Sequence, residues 1–265
     1  MERLKTGLKE VQAVYDGPEG VLWELIMGEQ IHVGGFASSM LLATKAGIKA
    51  GMKGVDLCSA LGAGCRFLVR HLGVQMSGVD ATVTMIKEAN KRTQEAGLTD
   101  KIEYKLADVL QIPYPENTFD FVWGEDAWCY VEDKDKLIKE AARILKPGGT
   151  LAFTDWIEGP AGLSTEEAKR INTFMKFPYM ENLKGYRGII EKHGLKIQEA
   201  EDLTPEFAEY VQLYLDMVNK QLTMDALRII GWDMNMLQAI GGEMTFMLEA
   251  AKAGKMGRGR FIAHK

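Results

Sequence analysis

This chain of 265 residues predicts an α/β fold, a mostly parallel sheet with helices on both faces, and three observations carry that expectation. Short apolar runs alternate with amphipathic helical stretches from about residue 51 to residue 156, the pacing of repeated strand–helix units. The strand-like run GVDL at 54–57 passes into a turn of small residues, CSALGAG at 58–64. Helical spacing follows at Phe67, Leu68, Val69 and Leu72. A second strand through Val74, Met76 and Val79 then ends on an acid, Asp80.

The remaining elements follow in order. Residues 1–50 are mostly helical in pattern, broken at Gly17-Pro18, with a loop-like stretch holding Trp23, His32 and a glycine pair. A helix is expected over 38–50. After Asp80 comes a helix over 82–96, stopped by Gly97, then a third strand over 101–106 with Asp108 and Val109 at its tip. The run FDFVW makes a fourth strand over 119–123, with Glu125 and Asp126 beyond it. A helix over 134–145 and the turn KPGG lead to a fifth strand over 150–153, with Trp156 past its end. Beyond it the pattern changes. The start STEE caps a helix over 164–177, another spans 185–193, and a sixth strand covers 195–200. A Met- and Leu-rich helical region over 205–230, a helix over 246–253 and a final strand over 260–264 close the chain.

Composition sets the bounds. With 46% apolar residues the chain can bury a sizeable core, and its length suits one α/β domain with an insertion. A net charge of −5 argues against a nucleic-acid partner. No apolar run is long enough to span a bilayer, and residues 1–10 are charged throughout, so neither a membrane partner nor a leader is expected. Three cysteines without a CxxC pair fit a reducing, cytoplasmic setting and give no metal site. The oligomeric state stays open, a homo-oligomer included.

The turn after the first strand points to a ligand. Small residues let a ligand approach the backbone, and the next helix offers unpaired N–H groups. An acid at the tip of the second strand can accept both hydroxyls of a ribose. The turn is not GxGxxG, however, since Cys58 and Ala60 stand at two glycine positions and only Gly62 is kept. A pyrophosphate wants closer approach than that, whereas a nucleoside with an amino-acid tail asks less. An ordinary βαβ crossover explains the segment equally well.

Four stretches taken together carry a family resemblance: VDLCSALGAG, GVD ending at Asp80, LADVLQIPYPENTFDFVW and LIKEAARILKPGGTLAFTDW. In that order and spacing they resemble the class I S-adenosylmethionine-dependent methyltransferases, clearly over residues 51–156. The N-terminal GEQIHVGGF and the insertion before the last strand are similar to small-molecule N-methyltransferases such as the sarcosine/dimethylglycine and phosphoethanolamine enzymes. The resemblance implies a Rossmann-like fold in three parts. Residues 1–50 cap the cofactor, 51–160 bind S-adenosylmethionine, and 161–265 form a substrate-side lid and complete the sheet. It implies that Asp56 and the turn through Cys58, Ala60 and Gly62 face the methionine moiety and that Asp80 holds the ribose. It also sets Ala81 and Thr82 beside the adenosine, Asp108 on the adenine amine with Val109 along the ring, and Glu125 between cofactor and substrate.

The implied reaction is in-line methyl transfer to a small-molecule acceptor, an amine nitrogen foremost, with glycine, sarcosine and dimethylglycine as examples. An amine must shed its proton first, and His32, Glu125 and Asp126 are candidates to take it. His32 serves equally well as a structural histidine or to orient the acceptor. Trp23, Trp128, Tyr130 and Trp156 can offer ring faces to a cation, or simply pack beneath a lid. Tyr15 either covers the cofactor or staples its helix. A carbon or oxygen methyltransferase, a binding module without turnover and an NAD-dependent oxidoreductase are the competing readings.

Overall fold

The computed structural model of the protein describes residues 6–265. Seven strands form one sheet: β1 (Lys53–Leu57), β2 (Gln75–Asp80), β3 (Ile102–Leu106), β4 (Phe119–Glu125), β5 (Leu145–Glu158), β6 (Lys196–Asp202) and β7 (Met256–His264). Their order is β3-β2-β1-β4-β5-β7-β6, and all neighbours are parallel except β7, which runs antiparallel to both β5 and β6. The order reverses at β1, so β1 and β4 lie side by side at the switch point where α/β sheets bind ligands beyond their carboxyl ends.

Helices α1 (Leu8–Asp16), α2 (Pro18–Met27) and α3 (Gly35–Lys45) precede the sheet. Helices α4 (Ala63–Leu72), α5 (Val83–Glu95) and α6 (Lys134–Ile144) are its crossovers, followed by α7 (Thr165–Met175) and α8 (Leu183–Lys192). Helices α9 (Thr204–Lys220), α10 (Thr223–Ile229) and α11 (Met234–Lys252) fill the insertion between β6 and β7. The expected capping box is formed: Ser164 Oγ accepts from the Glu167 amide, and Glu167 accepts from the Ser164 amide. No helix among the described residues is long and apolar enough to cross a membrane.

Several boundaries differ from expectation for tertiary reasons. The fifth strand runs from Leu145, through the KPGG stretch, to Glu158, because Leu145 already pairs with Phe119 of β4 and β7 pairs with it from Thr150↔His264 to Glu158↔Met256. Trp156 is therefore a strand residue opposite Arg258, not a residue beyond the tip. The stretch 246–253 is the end of a helix that begins at Met234, and the third helix starts at Gly35 rather than Ser38.

The core has three parts. One packs α6 and α8 on a sheet face, with Phe119, Val122, Phe153 and Tyr186 among its side chains. A second packs α3 and α4 on the opposite face, over Phe121, Trp123 and Ile262. The third is helical, joining α2, α7, α9 and α11 over Trp156. Its Met and Leu side chains are the stripe seen in the sequence, and burying each contributes roughly 1.5–3 kcal/mol.

Candidate functional site

Three adjoining cavities lie over the carboxyl ends of β1, β2 and β4, and Tyr15 of α1 lines all of them. The largest, about 210 Å³, runs between α1 and the ends of β2 and β3. Cys58, Ala60, Asp80, Ala81, Thr82, Asp108 and Val109 all face it, and Val11, Met85 and Leu110 supply apolar walls. The Asp80 carboxylate is fixed by two backbone donors, the Ala60 amide at 2.9 Å and the Thr82 amide at 2.8 Å. Burial nevertheless pushes its pKa up. Gln12 of α1 donates to the Ala81 carbonyl at 2.7 Å, which docks that helix over the cavity.

Gly62 lines none of these three cavities. It takes a left-handed conformation (φ 70°) before α4, and a Cβ there would stand 2.1 Å from the Tyr104 hydroxyl. Its role is to shape the turn. Cys58 (φ 66°) and Ala60 (φ 43°) take the left-handed conformation without being glycine, at a cost of roughly 1–2 kcal/mol each.

The second cavity, about 40 Å³, continues past Cys58 and Ala60 toward Asp56, Glu125 and His32. Four of the seven described non-glycine residues with positive φ line it: Ile31, Cys58, Ala60 and Asp126. Strain of this kind persists where surrounding structure imposes it, and it gathers at functional sites. Asp56 is buried with only the Cys65 thiol at 3.8 Å, and desolvation together with nearby Glu125 holds its pKa well above the usual carboxylate range. Ser59 Oγ, in the same wall, is buried without a partner.

Glu125 is held from three sides. Ser39 Oγ lies at 2.9 Å and Trp123 Nε1 at 3.1 Å from its Oε2, with His32 Nε2 at 3.4 Å. Burial raises its pKa, while His32 opposes the shift. His32 itself is engaged at both ring nitrogens, with the Val33 carbonyl 3.2 Å from Nδ1 and Ser39 Oγ 3.1 Å from Nε2. Sequence reasoning missed Ser39, since a lone serine inside a helix carries no signal.

The third cavity, about 20 Å³, is bounded by Tyr15, Trp23, Tyr130, Trp156 and Phe177 with Asp126 beside them. The hydroxyls of Tyr15 and Tyr130 lie 3.2 Å apart, and burial raises the pKa of both, so both stay protonated. Asp126 is clamped: its Oδ1 accepts from Arg258 Nε at 2.7 Å and its Oδ2 from the Val33 amide at 2.8 Å. Arg258 also donates to Ser38 and Thr154, so this buried pair ties α3, β4, β5 and β7 together.

Two expectations about the acceptor side change. Trp128 is not there: it is fully buried, donates its indole N–H to the Leu57 carbonyl at 3.2 Å and stacks on Phe153. Gly124 leaves the space for it, since a Cβ there would meet the indole nitrogen at 2.4 Å. His32 and Glu125 line the second cavity and not the third, because β4 turns the Glu125 side chain to the same side as Trp123. The carboxylate beside the aromatic cavity is Asp126.

Comparison with known proteins agrees with this architecture. Residues 55–153 match the family described as methyltransferase domain. Phosphoethanolamine N-methyltransferase 3 of Arabidopsis thaliana is 29% identical over 88% of this chain and 49% of its own length. The chain thus spans about half of that relative. A candidate sarcosine dimethylglycine methyltransferase from Galdieria sulphuraria superposes with a TM-score of 0.86 at 23% identity, covering 95% of this chain and 98% of the other. Phosphoethanolamine N-methyltransferase 2 of Haemonchus contortus, in complex with phosphomonomethylethanolamine and S-adenosylhomocysteine, gives a TM-score of 0.85 at 24% identity. It covers 96% of this chain and 58% of the other.

Proposed function

We propose that this chain, which carries a methyltransferase domain over residues 55–153 on a class I S-adenosylmethionine-dependent methyltransferase fold, methylates a small molecule, with an amine nitrogen as acceptor. The observation that carries this reading is the set of three adjoining cavities around Tyr15. A nucleoside-sized cavity ending on Asp80 and Asp108 leads into a small acidic cavity at Asp56 and Glu125, beside an aromatic one.

The residues present fit S-adenosylmethionine. Asp80, already oriented by two amides, has lone pairs left for the ribose hydroxyls, and Asp108 and Val109 stand where an adenine would lie. The unpartnered Ser59 hydroxyl and the raised pKa of Asp56 are both answered by a zwitterionic tail, whose ammonium favours the ionised carboxylate. S-adenosylmethionine bound there supplies an electrophilic methyl whose S–C bond breaks as the acceptor–C bond forms.

The chain's own residues then align and shield. Helix α1 covers the path through Tyr15 and excludes water, the main contribution in a displacement whose methyl is already activated. The ring faces of Tyr15, Trp23, Tyr130 and Trp156 favour a positive centre. Asp126, next to them, accepts from the acceptor N–H and orients its lone pair. Its pairing with Arg258 makes it a positioning group, and the displaced proton passes to solvent. On this reading residues 1–50 are the cap, 51–160 the cofactor core and 161–265 the acceptor side.

Calorimetric titration with S-adenosylhomocysteine and with NAD tests the proposal. The expected result is binding of the first only, with affinity about 100-fold lower in Asp80→Ala, the scale of a lost charge-assisted pair of hydrogen bonds. Binding of NAD instead, or unchanged affinity in the variant, overturns it.

A further inference from the structure

The aromatic cavity has an apolar neighbour. A further cavity of about 70 Å³ lies between α2, the end of α7 and α11, and Trp23 and Met175 line both it and the aromatic cavity. Its walls are otherwise apolar, with Leu22, Ile26, Phe174 and Ile240 among them. Among its described lining residues the charged side chains are Glu19 and Lys176, one of each sign.

The aromatic cavity has no Lys, Arg or His among its described lining residues. Its one carboxylate, Asp126, is already neutralised by Arg258, whose guanidinium is committed to Asp126, Ser38 and Thr154. A phosphate or carboxylate seated here would be desolvated without a cation of its own, which costs several kcal/mol. An apolar group would instead replace water against Met, Ile and Trp side chains.

We propose that the methyl acceptor is an amine whose remaining part is a short, uncharged apolar group, with the nitrogen in the aromatic cavity and the apolar part between α2, α7 and α11. This rests on the methyl-transfer reading and deepens it. The two cavities, about 70 and 20 Å³, suit a group of about three or four carbons, given that an apolar void of roughly 150 Å³ holds a benzene ring. It separates this chain from relatives whose names carry a phosphate- or carboxylate-bearing acceptor.

The test is calorimetry on protein saturated with S-adenosylhomocysteine, at one pH, with isobutylamine, phosphoethanolamine, glycine and sarcosine as probes. Isobutylamine is expected to bind at least ten-fold more tightly than the other three. Met175→Trp, at the wall the two cavities share, is expected to weaken isobutylamine at least ten-fold. That variant should leave S-adenosylhomocysteine affinity unchanged, which also shows that it is folded. Equal or tighter binding of an anionic amine, or no binding of isobutylamine, overturns the inference while leaving methyl transfer standing. Loss of S-adenosylhomocysteine binding by the wild type is a different result and removes the reading beneath it.

Discussion

The cavity at Asp80, the proposed nucleoside end, and the aromatic cavity are held in place by different means. At the nucleoside end, backbone does the fixing: the Ala60 and Thr82 amides orient Asp80, and the left-handed Cys58 and Ala60 form the turn. These groups come from loops directly after β1 and β2. At the aromatic end, buried charges do it. Asp126 and Arg258, 132 positions apart, join β4 to β7. Asp155 accepts from the Cys129 amide and the Tyr186 hydroxyl, holding the 3₁₀ turn Trp128–Tyr130 that carries Tyr130. Lys134, also buried, donates to the carbonyls of Cys129, Val131 and Tyr179. A backbone cradle suits a ligand of constant shape, while a side-chain cage can change its walls without disturbing the sheet.

The strongest way to break this contrast is at the buried pair. Arg258→Met leaves Asp126 uncompensated and is expected to lower unfolding free energy by about 3–5 kcal/mol in urea titrations. Adding Asp126→Asn should recover part of that loss; no recovery would mean that the pair does not act as a unit. The next test concerns Asp155, whose pKa burial pushes up to about 6. Folded protein then keeps a proton that the unfolded chain has released, so stability falls as pH rises from about 4 to 6. Relative to Asp155→Asn, the wild type should lose about 3 kcal/mol across that window. A pH-independent difference between the two would refute the assignment.

At the nucleoside end the effects are smaller. Asp56 and Glu125 both have raised pKa values, so a cofactor ammonium should bind better as they ionise. S-adenosylhomocysteine affinity is therefore expected to rise with pH, with proton release visible in buffers of different ionisation enthalpy. Asp56→Asn should reduce affinity about ten-fold at high pH, one charge-assisted hydrogen bond, and less at low pH. Ala60→Gly relieves a left-handed alanine and should raise stability by about 1 kcal/mol in the same urea assay. A loss there would show that the Ala60 methyl packs to more purpose than its backbone angle suggests.

The amino-acid sequence determined the alternation of strands and helices, the small-residue turn, and the acids at the tips of β2 and β3. Each of these is a local matter of period, turn chemistry or strand end, so Asp80 and Asp108 were readable without a structure. The helices between β6 and β7 were readable as apolar stripes, though not as the walls of a cavity. Tertiary structure alone decided the aromatic cavity. Trp128 and Trp156 carry the same aromatic signal, yet Gly124 draws one into the core and strand pairing with β7 leaves the other beside Tyr15. Ser39 with Glu125, and Arg258 with Asp126, meet only because α3 and β7 are brought to β4 by the folded sheet. Contacts across 86 and 132 positions leave no local pattern, since periodicity records which face a residue shows and not which residue it will meet there.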